Sequence, residues 1–400
     1  MVQLALRNLS RNRRRSVVAI LTIAVSVCGM LFLQGFFSGL MELHRQNSIH
    51  SRFGHGQVNP IGYRDRVYEK PWEHWMTDAP AIMNKMANVD GVEQLFPRVQ
   101  FYAMLGNNNI SVAGRGIGIV GAKEQNFFNR INIVKGEALG ENEEGIVLGK
   151  GLAHSLGVDI GDRVTVLGQT VHGSVNALDL VVQGIFHIGF KEADDALFQV
   201  QLSQAHILLD TQKVETISIG LRDDADWHQV AASLKAVLPH LEAVDVNVLD
   251  EVWAKNGENF LQSLLNIFRL VFLGVILLAI FNSASNTVLE RRQEIGMLRA
   301  NGESGWDVVR LFFLEGTFQA LIGATLGILL LFAVMSLLPE GLPMPPTPGT
   351  SRELPVGLDI QWNYVVSCFL LGSLVAMVSV MGASIQVLRL SISDALKQAS

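Results

Sequence analysis

A chain of 400 residues that is 49% hydrophobic and only 17% charged, with a mean hydropathy of +0.30, is too apolar for an ordinary soluble enzyme, in which about a quarter of residues are charged. Its two cysteines, Cys28 and Cys368, both fall in apolar stretches, so no disulfide framework or metal spacing is available. The net charge of -6 is unevenly spread, with arginines and no acid between Gln3 and Ser16 and an acidic excess over residues 41–260, which excludes a large nucleic-acid surface.

Residues 1–16 place Arg7, Arg11 and Arg14 on one face of a helix that carries Leu4, Leu6 and Leu9, the pattern of an amphipathic segment lying at a membrane surface. A bilayer core about 30 Å thick needs about 20 apolar residues, and four runs meet that requirement. The first is Val17 to Leu40, with no charged residue. Its length exceeds that of a secretory leader, and no alanine follows Ala24 until Ala79, so the sequence predicts an uncleaved anchor.

Residues 41–260 are long enough for one or two domains and mix both secondary-structure periods. Helices are predicted over 78–88, 150–156, 203–210 and 224–238, with Ser203 and Asp224 as N-caps. Strands are predicted over 110–113, 163–167, 180–186, 216–221 and 244–249. The stretch from about 107 to 201 is richer in turns and strands than its flanks, which suggests a strand-rich subdomain inserted into an α/β unit. From Asp250 a helix is expected to run as a stalk into the second span, 261–289, whose one charge is Arg269.

A charged loop, 290–310, leads to a third span, 311–338, whose one charge is Glu315. The loop 339–361 holds more than half of the chain's 11 prolines and reads as an irregular cap. A fourth span, 362–388, is uncharged, and a short tail, 389–400, follows. Lysine and arginine concentrate in the N-terminal segment, the 290–310 loop and the tail, so these are expected to be cytoplasmic and residues 41–260 periplasmic. The fold class expected is an α-helical membrane protein with four transmembrane helices and a large mixed α/β extracytoplasmic domain.

Motifs of catalysis are weak. Gly116, Gly118 and Gly121 satisfy G-x-G-x-x-G but lack an acidic residue at the dinucleotide distance, and the segment 145–151 has one residue too few for a P-loop. Ten histidines show no metal spacing, and no G-x-S-x-G elbow occurs. No enzymatic role and no cofactor of its own are expected. Glu315 is an ionisable group at membrane depth, which points to function by default, although a hydrogen bond to the 290–310 loop or a neighbouring helix accounts for it equally well. Gly316, Gly323 and Gly327 line one ridge of the same span and permit close helix approach, within the chain or in a dimer.

The 290–310 loop carries the densest pattern: Glu290, Arg291, Arg292, Glu294, Ile295, Gly296, Leu298, Arg299 and Gly302. The charges are expected to continue span two as a solvated helix that Gly302 ends, with Arg291, Ile295, Leu298 and Arg299 on one side. Such a helix is either a connector that fixes topology or a docking element whose Ile295 and Leu298 fill a groove in a partner.

At this loop the sequence resembles the permease superfamily that includes the macrolide exporter MacB, the lipoprotein-releasing permeases LolC and LolE, and the cell-division protein FtsX. Its E-R-x-x-E-I-G-x-x-x-A-x-G signature is matched by Glu290, Arg291, Glu294, Ile295, Gly296, Ala300 and Gly302, followed by Phe312, Glu315 and Gly316 and by the glycines of span three. The resemblance extends to residues 6–16, to 145–162 and to 393–397, with Ile392 where many relatives have proline. It implies the permease of a type VII ABC transporter, closest in plan to LolC and LolE, in the bacterial inner membrane. The partners it implies are a separate cytoplasmic ATPase dimer that binds the ATP, a second permease copy or paralogue, membrane lipids, and a periplasmic carrier. The cargo would be a lipidated or amphipathic substrate. An FtsX-like signalling role, regulating a periplasmic cell-wall hydrolase without transport, stays open at this level.

Overall fold

The computed structural model describes residues 13–67, 70–107, 110–188, 191–251, 256–300, 302–344 and 355–385. The amphipathic segment expected before residue 13, the stalk residues 252–255, residues 345–354 of the proline-rich loop, and the last residues of the fourth span with the tail, 386–400, lie outside them. The chain divides into two compact units. One comprises Met1–Met41, Gly257–Leu342 and Pro355–Ser400, and the other comprises Glu42–Asn256 and Pro343–Leu354.

Helix α1 (Arg13–Ser48) is longer than the apolar run that predicts it. No glycine or proline interrupts residues 41–48, and Arg45 pairs with Glu42 one turn earlier at 2.8 Å, so nothing stops the helix at the apolar boundary. A single π-helical turn, Ile49–Phe53, then closes on Gly54, whose φ of 74° lies in the left-handed region.

The α/β unit follows with β1 (Gly56–Pro60), α2 (Tyr63–Arg66), α3 (Ala79–Ala87), the long β2 (Val92–Asn107), β3 (Ile110–Ile119), α4 (Gly121–Phe127), β4 (Asn132–Gly136) and β5 (Gly145–Gly149). It continues with α5 (Lys150–Leu156), β6 (Arg163–Gln169), β7 (Val175–His187), α6 (Lys191–Asp194), β8 (Leu197–Gln201), α7 (Leu202–Leu209), β9 (Thr216–Leu221), α8 (Trp227–Val237), β10 (Leu241–Asp245) and α9 (Val246–Leu249).

Two strand systems share β2. Its first half pairs antiparallel with β9, which continues through β1 to β10. Its second half pairs with β3 and β6, and the further pairings β3 to β8, β8 to β5, β5 to β7 and β7 to β6 close a ring of strands. Val99, Phe101, Ala103 and Leu105 alternate into that ring and pack with Leu148, Val166, Val182 and Phe198. Helices α3 and α8 cover the first sheet through Met86, Val230 and Leu234.

Three local expectations change. Helix α7 starts at Leu202 with Gln201 as N-cap, because the hydroxyl of Ser203 donates to Glu143 instead. Helix α8 is capped by Asp226, since Asp224 pairs with Arg222 at 3.0 Å. The strand predicted over 244–249 stops at Asp245, whose carboxylate accepts from the Asn247 N–H at 2.7 Å and opens α9. Gly116 and Gly118 lie in β3, where a Cβ on Gly116 would sit 2.5 Å from Phe101 and one on Gly118 2.6 Å from Ala205. Their glycines serve packing.

The point where β2 passes from sheet to ring is fastened by two buried carboxylates. Glu124 is bidentate to Arg98, at 2.6 and 2.9 Å. Glu215 accepts from the Gln100 N–H at 2.6 Å and from the Tyr63 hydroxyl at 2.8 Å. Burial nevertheless dominates at Glu215 and pushes its carboxyl up to about 7. A carboxyl whose pKa is raised on folding contributes stability that is present below its unfolded value near 4.5 and is lost as pH rises through 7. Glu215→Gln is therefore expected to flatten the fall in unfolding temperature of the full chain between pH 4.5 and 7, a term on the order of 3 kcal/mol. An unchanged pH profile in the variant would contradict the burial argument.

The helical unit is completed by α10 (Glu258–Glu290), α11 (Arg292–Ala300), α12 (Gly305–Leu337) and α13 (Trp362–Ser384). Helices α1, α10, α12 and α13 are each long and apolar enough to cross a membrane. Their shared core contains Ile23, Val27, Leu31, Ile276, Ile280, Ala324 and Ala376. Outward-facing Leu270, Val271, Leu278, Leu329 and Leu374 are more than half exposed, an apolar exterior that suits lipid and not water.

Candidate functional site

Helix α10 does not run on into the charged segment. It ends at Glu290, and Arg291 takes a non-helical conformation with its N–H on the Thr287 carbonyl at 3.1 Å. Helix α11 then carries Glu294, Ile295, Gly296, Leu298 and Arg299. Gly302, at φ 95°, supplies the left-handed turn that an L side chain would resist, and its N–H donates to the Arg299 carbonyl at 3.2 Å. Ser304 and Asp307 form a reciprocal capping box that starts α12. The segment is thus a helical hairpin between the second and third apolar helices.

The expected solvated helix is corrected on its inner face. Arg291 is buried, and its Nη1 lies 3.1 Å from Glu315 Oε1, with the guanidinium 5.9 Å from the Phe312 ring centre. Ile295 is 2% exposed, packed with Val288, Val308, Val309 and Phe312. It is therefore part of the chain's own core and not free to fill a partner's groove. Burial is favoured because α10 and α12 bring four apolar residues to one level, a coincidence visible only once the hairpin folds back.

Glu290 is exposed, and Arg292, Glu294 and Arg299 are partly exposed. Glu294 approaches Arg291 at 3.9 Å, an ion-pair distance without a hydrogen bond. The outer face offers two large apolar side chains, Met297 and Trp306, at 55% and 54% exposure. The sequence reasoning missed both, although an exposed tryptophan beside a capping serine is a readable signal.

Glu315 is 8% exposed, and its carboxylate is held by the hairpin. The three glycines of α12 are close-approach points. A Cβ on Gly316 would run into Val380 of α13, one on Gly323 would lie 2.7 Å from Ile23 Cβ, and one on Gly327 2.6 Å from the Ala24 carbonyl oxygen. The ridge packs α12 against α13 and α1 within the chain.

Two family models cover these parts. Residues 16–237 match the MacB-like periplasmic core domain, and residues 266–392 match the FtsX-like permease C-terminal domain. A multi-pass helical unit with that hairpin, joined to a MacB-like periplasmic domain, defines an ABC transporter permease. The chain belongs to the MacB, FtsX and LolC superfamily of such permeases. It is 27% identical to the lipoprotein-releasing system transmembrane protein LolC of Xylella fastidiosa, over 82% of this chain and 80% of that one. The LolC of Neisseria meningitidis is 25% identical over 78% of this chain and 75% of the relative. Among solved structures, the periplasmic region of MacB from Actinobacillus actinomycetemcomitans covers 52% of this chain and 95% of that one, at 13% identity and a TM-score of 0.39.

Proposed function

We propose that the chain is the membrane subunit of a type VII ABC system in a bacterial inner membrane, with both termini cytoplasmic and the α/β unit periplasmic. ATP hydrolysis by a separate cytoplasmic ATPase dimer drives periplasmic motion through the 290–302 hairpin. The cargo is a lipidated or amphipathic molecule, a class supported by the LolC relatives, whose names assign them to lipoprotein release. A second permease copy or paralogue completes the dimer, and a periplasmic carrier receives the cargo.

One observation carries the coupling reading. The inner face of the hairpin is locked by Arg291, Glu315 and Ile295, while Met297 and Trp306 face outward among charges. A rigid element with apolar anchors inside a charged rim suits docking on a partner that pushes it. Met297→Asp combined with Trp306→Asp is expected to leave membrane insertion intact and to weaken co-purification of the ATPase at least about tenfold, or about 1.4 kcal/mol. Undiminished recovery of the ATPase with the double variant would contradict this surface as the docking face.

A further inference from the structure

Arg291 is the single residue between α10 and α11, and its backbone, at φ -93° and ψ 18°, makes the bend. Its guanidinium is fixed to a third helix. Nη1 donates to both oxygens of Glu315 on α12, at 3.1 and 3.4 Å, and the Phe312 ring of α12 lies beside it. Nε differs: it is buried and has no hydrogen-bond partner among the described residues. A buried N–H left in that state costs free energy that one acceptor would recover, and more so when the acceptor is charged.

Glu294 is placed to be that acceptor. Its Oε2 lies 3.9 Å from Nε, within ion-pair range and about 1 Å beyond a hydrogen bond. The side chain stands in the first turn of α11 and is 45% exposed, so its carboxylate has room to move. The guanidinium belongs to α12 by its contacts and the carboxylate to α11 by its position, so the gap between them follows the tilt of one helix against the other. Ile295 already holds α11 to the small core, which leaves only a slight tilt, and about 1 Å is all that closure requires. Met297 and Trp306 divide in the same way, the first on α11 and the second on α12. A partner that buries both side chains therefore acts on the same two helices as the gap.

We propose that Arg291 and Glu294 form a latch: an ATPase that grips Met297 and Trp306 draws α11 onto α12 and seats the Glu294 carboxylate on the Arg291 Nε–H. The latch rests on the docking face proposed above, and it is what makes that contact rigid. In the closed state one guanidinium bridges two carboxylates, Glu315 through Nη1 and Glu294 through Nε, and α11 moves with α12 as one piece. Glu294 is thus a positioning residue that acts through Arg291 and not by touching the partner.

The affinity of the co-purifying ATPase for the full-length chain, measured in mild detergent with adenylyl imidodiphosphate present, tests the latch. Glu294→Gln is expected to weaken binding about tenfold, and Glu294→Asp, whose carboxylate is one methylene short, about threefold. Arg291→Lys keeps a cation for Glu315 but has no second donor fixed toward Glu294. Added to Glu294→Gln it should weaken binding less than about a further twofold, because either change alone already opens the latch. Thermal unfolding of the chain without the ATPase should change little in Glu294→Gln, since an open pair at the surface contributes little.

Wild-type affinity in Glu294→Gln overturns the latch. So do losses in the two variants that simply multiply, which would make Glu294 a direct contact of the partner. A fall in the unfolding temperature of Glu294→Gln as large as that of Arg291→Ala overturns it as well, because the carboxylate is then engaged without the ATPase. Where Arg291→Lys fails to fold, the two Glu294 variants still decide. Undiminished binding by the Met297→Asp, Trp306→Asp variant removes the docking face and the latch with it, whereas a loss there beside wild-type affinity in Glu294→Gln removes the latch alone.

Discussion

Arg291→Ala is expected to destabilise the hairpin by about 3–5 kcal/mol, because it strands the buried Glu315 carboxylate without its cation. The guanidinium also covers the edge of a small core around Phe312, so packing is lost together with charge. Thermal unfolding in detergent should fall sharply, and backbone exchange over 288–302 should rise. The paired replacement of Arg291 and Glu315 by methionine removes both charges at once, and stability is then expected to return to near the wild-type value. This non-additivity separates a buried ion pair from two independent polar contacts. Single variants within about 0.5 kcal/mol of wild type would show that the pair does not hold the hairpin.

Replacing glycine by alanine in a helix interior ordinarily stabilises by about 1 kcal/mol. The sign is expected to reverse at Gly323 and Gly327, where the new methyl would meet Ile23 and the Ala24 carbonyl at 2.7 and 2.6 Å. Overpacking of this kind costs about 1–3 kcal/mol, and leucine at either position should exceed that. Gly274 of α10 has nothing within 4 Å of its would-be Cβ, so Gly274→Ala is the internal control and should be neutral or stabilising. Size-exclusion recovery after graded heating in detergent reads all of these. Equal behaviour of Gly274→Ala and Gly323→Ala would mean that the ridge is not a packing seam.

The spans were legible because hydropathy acts through simple length, and Val17 to Leu40 needs no tertiary context to be recognised. Their ends were less so: α1 runs on to Ser48 because polar residues without a breaker continue a helix as readily as apolar ones. Strand β2 was missed because Pro97 and Gly106 interrupt its pattern, yet Pro97 is accommodated where the strand passes from one sheet toward the ring. A helix over the charge run, ended by Gly302, could be read from the sequence, but the break at Arg291 that turns it into a hairpin could not. Nor could its geometry, since the partner of Arg291 is Glu315, well beyond any local period. The same holds for Glu215, which reads as an ordinary surface acid between Val214 and Thr216 until Tyr63 and Gln100 are brought to it. Arg269 lay in plain view, but its hydrogen-bond partner, Gln34, is a residue of a different span.

The central claim is that a separate ATPase works on this chain through the 290–302 hairpin. The most direct measurement places the full-length chain, with the ABC ATPase that co-purifies with it in mild detergent, in proteoliposomes and compares ATP turnover for the wild type and for the Met297→Asp, Trp306→Asp variant. The account predicts an ATPase recovered in equal number with the wild type, turnover that depends on the permease, and loss of that dependence in the variant. Turnover identical with wild type, with variant and without the chain would contradict it.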